Sequence, residues 1–238
     1  METGTAAGYG ENAIPALSEG SLALLAGAMQ VRHVGKGGSL FREGDRTEEL
    51  FYVMRGKIRT VKSSDSGRTL TLYLHREGDL LGQLDPFPDS VHAFAAEAVE
   101  DAKVGVIRRA ELEARLRLHG DLAIELVRWM GLMQRLTQTK LRDLIMFGKS
   151  GALCSLLIRL GNTCGVDKKG GLFLDVKLSH AAMADMIGAT RESVNRMLGD
   201  LKKAGAIDTQ EGCIIIKDVA YLRAVCHCEN CPKAVCRM

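Results

Sequence analysis

The chain has no run of about 18 uncharged apolar residues, so nothing in it reads as a membrane span. Its first twenty residues, METGTAAGYGENAIPALSEG, lack a basic region followed by an apolar one, so no secretory signal is expected. Net charge is small. The 32 Lys and Arg against 29 Asp and Glu leave +3 over 238 residues, too little to name a partner. No P-loop, nucleophile elbow or zinc-protease motif is present, and the carboxylates form no evident pair, so an enzyme is not expected. These absences lead to the expectation of a cytoplasmic, non-catalytic protein. Disulfides rarely persist in that compartment, and an odd total of seven cysteines fits no simple disulfide framework.

Residues 31 to 109 read as short strands. LFYVMRGKIRTVKS alternates roughly, with Phe51, Val53, Ile58 and Val61 as expected core. TLTLYLH sets Leu70, Leu72 and Leu74 against Thr69, Thr71 and Tyr73. Glycines at 44, 56, 67, 78 and 82 punctuate the strands, which predicts a β-barrel or sandwich. From about Glu111 to Phe147 the period becomes helical. Leu122, Leu126, Trp129, Met133 and Leu136 form one stripe; Ala123, Val127, Met130, Thr137, Leu141 and Leu144 form a second. A helix with two apolar stripes has two faces to bury, and the same helix of a second subunit would cover one of them. A further helix is expected from about Ser150, stopped by Gly161 or Gly165, followed by a strand in GLFLDVKL.

The next segment carries the clearest functional signal. Ser179 is a good N-cap, Ala182, Met183, Met186 and Ile187 form a short apolar face, and Gly188 makes a sharp turn. Thr190 caps a second helix whose Val194, Leu198 and Leu201 face inward. Two short helices joined by a tight glycine turn are the helix-turn-helix pattern, and AIDTQEGCIIIKD adds a hairpin wing. The outward face of the second helix carries Arg191, Glu192, Asn195, Arg196 and Lys202. In a major groove, arginine reaches both acceptors of guanine and glutamate accepts from the cytosine amino group. The competing reading is a solvated face with a Glu192–Arg196 pair. Residues 191 to 203 hold four basic groups against two acidic ones, which favours DNA.

The tail, CHCENCPKAVCRM, holds four cysteines: Cys226, Cys228, Cys231 and Cys236. Cys228 and Cys231, with His227 and Cys226 nearby, have zinc-ligand spacing. The Cys–Pro step suits an iron–sulfur cluster. A disulfide switch needs only two of the thiols. Cys154, Cys164 and Cys213 read as small buried residues.

The order of barrel, long helix and winged helix resembles the CRP/FNR family of bacterial transcription regulators. REGDLLGQLDPF is similar to the family's barrel segment and IGATRESVNRMLGDLKKAGAI to its recognition region. The resemblance spans about residues 15 to 223. It implies an α+β fold: a jelly-roll β-barrel over 1–118, a dimerisation helix over 119–148, a winged helix-turn-helix over 149–225 and a cluster-binding tail over 226–238. It implies a homodimer on a palindromic double-stranded operator of TGTGA type, with Arg191, Glu192 and Arg196 as base readers. Asn195, also on that face, departs from the glycine or serine common there. RNA polymerase is the further partner implied, with residues 85 to 92 as a contact loop.

Cyclic-nucleotide-binding members resemble Gly-Glu-Leu followed by Arg-Ser or Arg-Thr about ten residues on. Here Gly82-Gln83-Leu84 and His92-Ala93 stand at those places, so the barrel is expected to lack that ligand. The sensor is then expected in the tail. With no cysteine before Cys154, an N-terminal cluster site is absent. A subgroup from Gram-positive bacilli resembles the spacing of Cys228, Cys231 and Cys236. It implies a 4Fe–4S cluster whose fourth ligand is an aspartate, matched here by Asp143 in KLRDLIMFGKSGAL, with Cys226 as the rival. The implied function is oxygen-responsive control of anaerobic genes, those of fermentation and nitrate respiration. Loss of the cluster would free the tail. The alternative is a regulator with a structural zinc tail or a small-molecule effector in the barrel.

Overall fold

The computed structural model describes residues 17–65, 67–84, 87 and 89–238. Most of the N-terminal stretch read for a secretory signal therefore lies outside the described residues. Eight strands form the first domain: β1 Gln30–Val34, β2 Ser39–Phe41, β3 Glu49–Arg55, β4 Ile58–Ser63, β5 Thr69–His75, β6 Leu80–Leu81, β7 Ala95–Ala98 and β8 Ala102–Arg108. They pair antiparallel into two sheets, in the orders β1-β8-β3-β6 and β2-β7-β4-β5. The sandwich predicted by the strand spacing, and the jelly-roll architecture implied by the resemblance, are present. Its sheets stay separate, with the two-residue β6 and three-residue β2 at their edges, so it is a sandwich more than a closed barrel. Phe51, Val53, Ile58 and Val61 are all buried, as the alternation predicted.

β5 is oriented in a way its hydropathy does not suggest. Thr71 and His75 are buried, whereas Leu70 is exposed and Leu72 and Leu74 are only partly covered. The His75 ring meets the Thr60 hydroxyl of the adjacent strand β4 at 2.9 Å. The leucines point the other way. Leu74 packs on the core of the C-terminal domain, and Leu70 and Leu72 line an apolar crevice of about 160 Å³ shared with Leu141, Leu144, Met186 and Ile187.

β8 leads into α2, Arg109–Leu118, and after an extended residue at His119 into α3, Gly120–Cys164. A shorter α1, Glu19–Ala26, precedes the sandwich. The first stripe of α3 is buried: Leu122, Leu126 and Trp129 pack with Leu25, Leu50, Leu80, Ile107 and Leu112. The second stripe faces outward, with Val127 67% and Met130 46% exposed, and Leu141 and Leu144 exposed beside Ile145 and Met146. At Gly148 the backbone leaves the helix (φ 61°, ψ −165°), a conformation glycine adopts without steric cost. Every residue from 151 to 160 is then buried. Part of α3 is long and apolar enough to cross a membrane, with mean hydropathy 1.4, but this buried run serves as the axis of the second domain.

Around that axis lie β9 Gly165–Lys168, β10 Gly171–Leu174, α4 His180–Ile187, α5 Arg191–Lys203, β11 Ile207–Gln210, β12 Cys213–Ile216 and α6 Val219–Val225. The four strands form one sheet, β11-β12-β10-β9. Ser179 caps α4 by accepting from Ala182 N at 3.1 Å, and Thr190 caps α5 by accepting from Ser193 N at 3.2 Å. Gly188 sits between them in the left-handed region.

Burial lowers the His75 pKa to about 4; Asp79 opposes this, and Lys140 and Arg237 add to it. The unfolded chain takes up that proton near 6.5, and the folded chain not until about 4. Between those values the unfolded state binds more protons, so stability falls as pH falls. The expected loss is on the order of 3 kcal/mol across the window. Denaturant midpoints measured from pH 7 to 4 should fall less steeply for His75→Gln than for the unaltered chain; equal slopes would remove His75 as the cause.

Candidate DNA interface and cysteine tail

The outward face of α5 holds Arg191, Glu192, Asn195 and Arg196, all exposed. Among the described residues none of Arg191, Glu192 and Arg196 takes part in an ion pair, so the Glu192–Arg196 pair that would have explained the face does not form. Lys202 instead reaches Asp208 on β11 at 3.4 Å, which ties the helix to the wing. Val194, Met197, Leu198 and Leu201 anchor the opposite side of α5 in the core. The result is a rigid helix, capped at its start, presenting unpaired polar side chains from its first two turns. That is the part of such a helix that enters a major groove.

The tail turns back from α6 along α3. Asn162 Nδ2 donates to the Cys236 carbonyl at 2.8 Å, Met238 N to Thr163 Oγ1 at 3.1 Å, and Arg159 Nη1 to the Val235 carbonyl at 3.0 Å. Arg142 pairs with Glu229, and the rings of Phe147 and His227 stack at 4.8 Å. Arg237 pairs with Asp79 at 3.1 Å, so the tail also grips the turn between β5 and β6. Cys228, Cys231 and Cys236 are half-buried on this seam. Burial pushes the Cys236 thiol up, Arg159 opposes this, and Cys228 and Cys231 are near enough to push it further. Among the described residues, no three His, Cys, Asp or Glu side chains are gathered as a metal site. The donors fit a sulfur-ligated group in kind: three partly accessible thiols on one docked segment. Cys226 is different. Its side chain is 2% exposed within the domain core, and burial pushes its thiol up to about 11. Cys154 and Cys213 are buried and Cys164 is half-buried.

Asp143 is 2% exposed. Its carboxylate accepts from Arg142 Nη2 at 2.6 Å, from Arg159 Nη2 at 3.2 Å and from the Ser155 hydroxyl. A solvated aspartate on a helix surface is thereby excluded. Two guanidiniums and a hydroxyl set its surroundings. The Asp143 bonds also define the bend. Ser155 and Arg159 lie 12 and 16 residues further on, which along a straight helix would be about 18 and 24 Å. Contact is possible only because α3 reverses sharply at Gly148. Sequence reasoning missed Arg159, whose signal was a single charge inside the apolar run ALCSLLIRL.

In the sandwich, a cavity of about 180 Å³ between the sheets and α3 is lined by Phe41, Thr60, His75, Gln83, His92 and Trp129 among others, and no arginine is among the lining residues. Gln83 Oε1 accepts from Ala93 N at 3.0 Å, and His92 is buried with its ring 3.8 Å from that of Phe41. Gln83 and Ala93, which stand at the two places where cyclic-nucleotide-binding members resemble Glu and Arg, are thus bonded to each other.

Residues 151–225 match the Crp-like helix-turn-helix domain family, and residues 31–119 match the cyclic nucleotide-binding domain family. The chain is 41% identical over 201 residues to the anaerobic regulatory protein of Bacillus subtilis (strain 168), covering 84% of each. It is 30% identical over 176 residues to the global nitrogen regulator of Synechocystis sp., covering 71% of this chain and 76% of that one. Among solved structures, the c-di-GMP responsive regulator CLP of Xanthomonas campestris superposes with a TM-score of 0.74 at 16% identity, covering 84% of this chain and 99% of that one. A CooA mutant from Carboxydothermus hydrogenoformans gives 0.74 at 20%, covering 88% and 92%. Two successive domain matches and identity along most of the chain place it in the CRP/FNR family of DNA-binding transcription regulators, not among enzymes.

Proposed function

We propose that this protein is an oxygen-responsive regulator of anaerobic genes, active in the cytoplasm as a homodimer on a TGTGA-type palindrome. Its 4Fe–4S cluster is held by Cys228, Cys231, Cys236 and Asp143. The observation that carries the reading is the docking of the cysteine tail along α3, beside Asp143 and the Gly148 bend. The identity with a relative named for anaerobic regulation supports it. A bound cluster would supply oxygen-sensitive iron–thiolate bonds at the docked tail. Asp143 provides the one oxygen donor. Cys226 is the poorer fourth ligand, because its thiol lies in the core directed at the Arg223 carbonyl, 3.8 Å away.

The exposed stripe of Val127, Met130, Leu141 and Leu144 is the dimer seam. Pairing there sets two α5 helices about 34 Å apart, one per half-site. Arg191 and Arg196 read guanines, Glu192 reads cytosine, and Asn195 adds a polar contact from the same face. RNA polymerase meets the bound dimer through the loop around residues 85 to 92, of which 85, 86 and 88 lie outside the described residues.

Arg191→Ala, Glu192→Ala and Arg196→Ala should each weaken binding to the palindrome by about 1–3 kcal/mol relative to scrambled DNA, measured by fluorescence anisotropy at fixed salt. Val127→Glu with Met130→Glu should give monomers in sedimentation equilibrium and lose palindrome binding; a stable dimer would move the interface elsewhere. Anaerobic reconstitution with iron and sulfide should give a brown protein that shifts the palindrome without air and not after exposure to it. A colourless protein with one tightly held zinc per chain, binding DNA equally in both conditions, would sink the oxygen-sensing reading and favour a structural zinc tail.

A further inference from the structure

Arg159 is the only charged residue in the buried run from Ala152 to Leu160, and it is itself 4% exposed. Its guanidinium joins three parts of the chain. Nη2 reaches Asp143 Oδ2 at 3.2 Å and Thr139 Oγ1 at 3.0 Å, both before the Gly148 bend. Nε reaches Ser155 Oγ at 3.2 Å, after the bend. Nη1 donates to the Val235 carbonyl, next to Cys236, at 3.0 Å. A planar fork with donors in fixed directions can serve all of these at once, whereas a lysine ammonium on its flexible stem cannot hold the same geometry. The other bonds that pin the end of the tail, from Asn162, Thr163 and Asp79, also use no cysteine sulfur.

We infer that Arg159 is the positioning residue of the tail: it holds Asp143 and the Val235–Cys236 segment in fixed register, so that the tail docks through protein contacts and not through its thiols. The consequence for Asp143 as a ligand rests on the cluster reading above; the docking role does not. Arg159 keeps the carboxylate beside the segment carrying Cys236. Loss of sulfur ligation would therefore leave the tail seated, where the resemblance implied that loss of the cluster would free it.

The test uses the full chain, iron-free and reduced, with thiol labelling by a maleimide located by mass spectrometry. Arg159→Gln should label Cys236 at least 10-fold faster than the unaltered chain, Arg159→Lys should be intermediate, and buried Cys154 should stay protected in both. If Cys154 also becomes reactive, the domain has opened. Arg159→Met with Asp143→Asn, which leaves no lone buried charge, then replaces the single variant and should again expose Cys236 alone. Unchanged Cys236 labelling in a variant that protects Cys154 would overturn the docking role. Iron binding is read separately, by visible absorbance after anaerobic reconstitution. A chain that stays colourless yet loses Cys236 protection supports the docking role and rejects the cluster. In coloured protein, Arg159→Lys should lose absorbance in air several-fold faster; an equal rate would overturn the effect on Asp143.

Discussion

A carboxylate with almost no solvent contact is stable as an ion only when opposite charge and hydrogen bonds replace its water. Asp143 meets that requirement with residues the chain brings from both sides of a bend: Arg142 beside it, and Ser155 and Arg159 from beyond Gly148. The bonds and the bend need each other. Without the glycine conformation the partners would be helical turns away, and without the ion pair the reversed helix would bury a lone charge in its core. Breaking one member of such a pair typically costs about 3–5 kcal/mol. The angle between the two halves of α3 is therefore held by electrostatics as well as by apolar packing. The tail is attached at the same place through Arg159.

The sandwich matches the cyclic nucleotide-binding domain family, and its interior is held by contacts among its own side chains. Where a phosphate would need an arginine, Gln83 and Ala93 hydrogen-bond to each other and His92 stacks on Phe41. His75 is neutral in the cavity wall, bonded to Thr60. Burial makes that ring costly to protonate. The leucine face of β5 supports a different contact, resting against the DNA-binding domain on one side of the crevice that Leu141 and Leu144 close on the other. One strand thus carries a polar face into its own domain and an apolar face to the neighbour.

The helix-turn-helix was legible because its signals are local. Ser179 and Thr190 cap helices that begin one residue later, and Gly188 takes the left-handed turn that its place demands. The two stripes of α3 were legible from period alone, although which one meets the sandwich needed the structure. Three features could not be read in this way. The polarity of β5 depends on a hydroxyl on β4 and on the domain covering its leucines. The burial of Asp143 depends on a residue 16 positions on, across a bend that a pattern of helical period conceals. Arg159, inside an apolar run, is tolerated only because four partners converge on it. In each case the deciding interaction is remote in sequence, while propensity and periodicity report only on neighbours.

The shared anchor point also constrains how regulation can work. Arg159 touches α3 before the bend, the core of the C-terminal domain and the tail, so a change in any one alters the bonding offered to the other two. If ligation at the tail changes the affinity for DNA by some factor, DNA must change the affinity at the tail by the same factor, because the coupling is a single free energy. A coupling of 1–3 kcal/mol, the usual range, corresponds to about 5–150-fold in either direction. That is less than the cost of breaking a buried ion pair. A change in how the Asp143 oxygens are shared, short of full release of the tail, is therefore large enough in free energy to account for a coupling of that size.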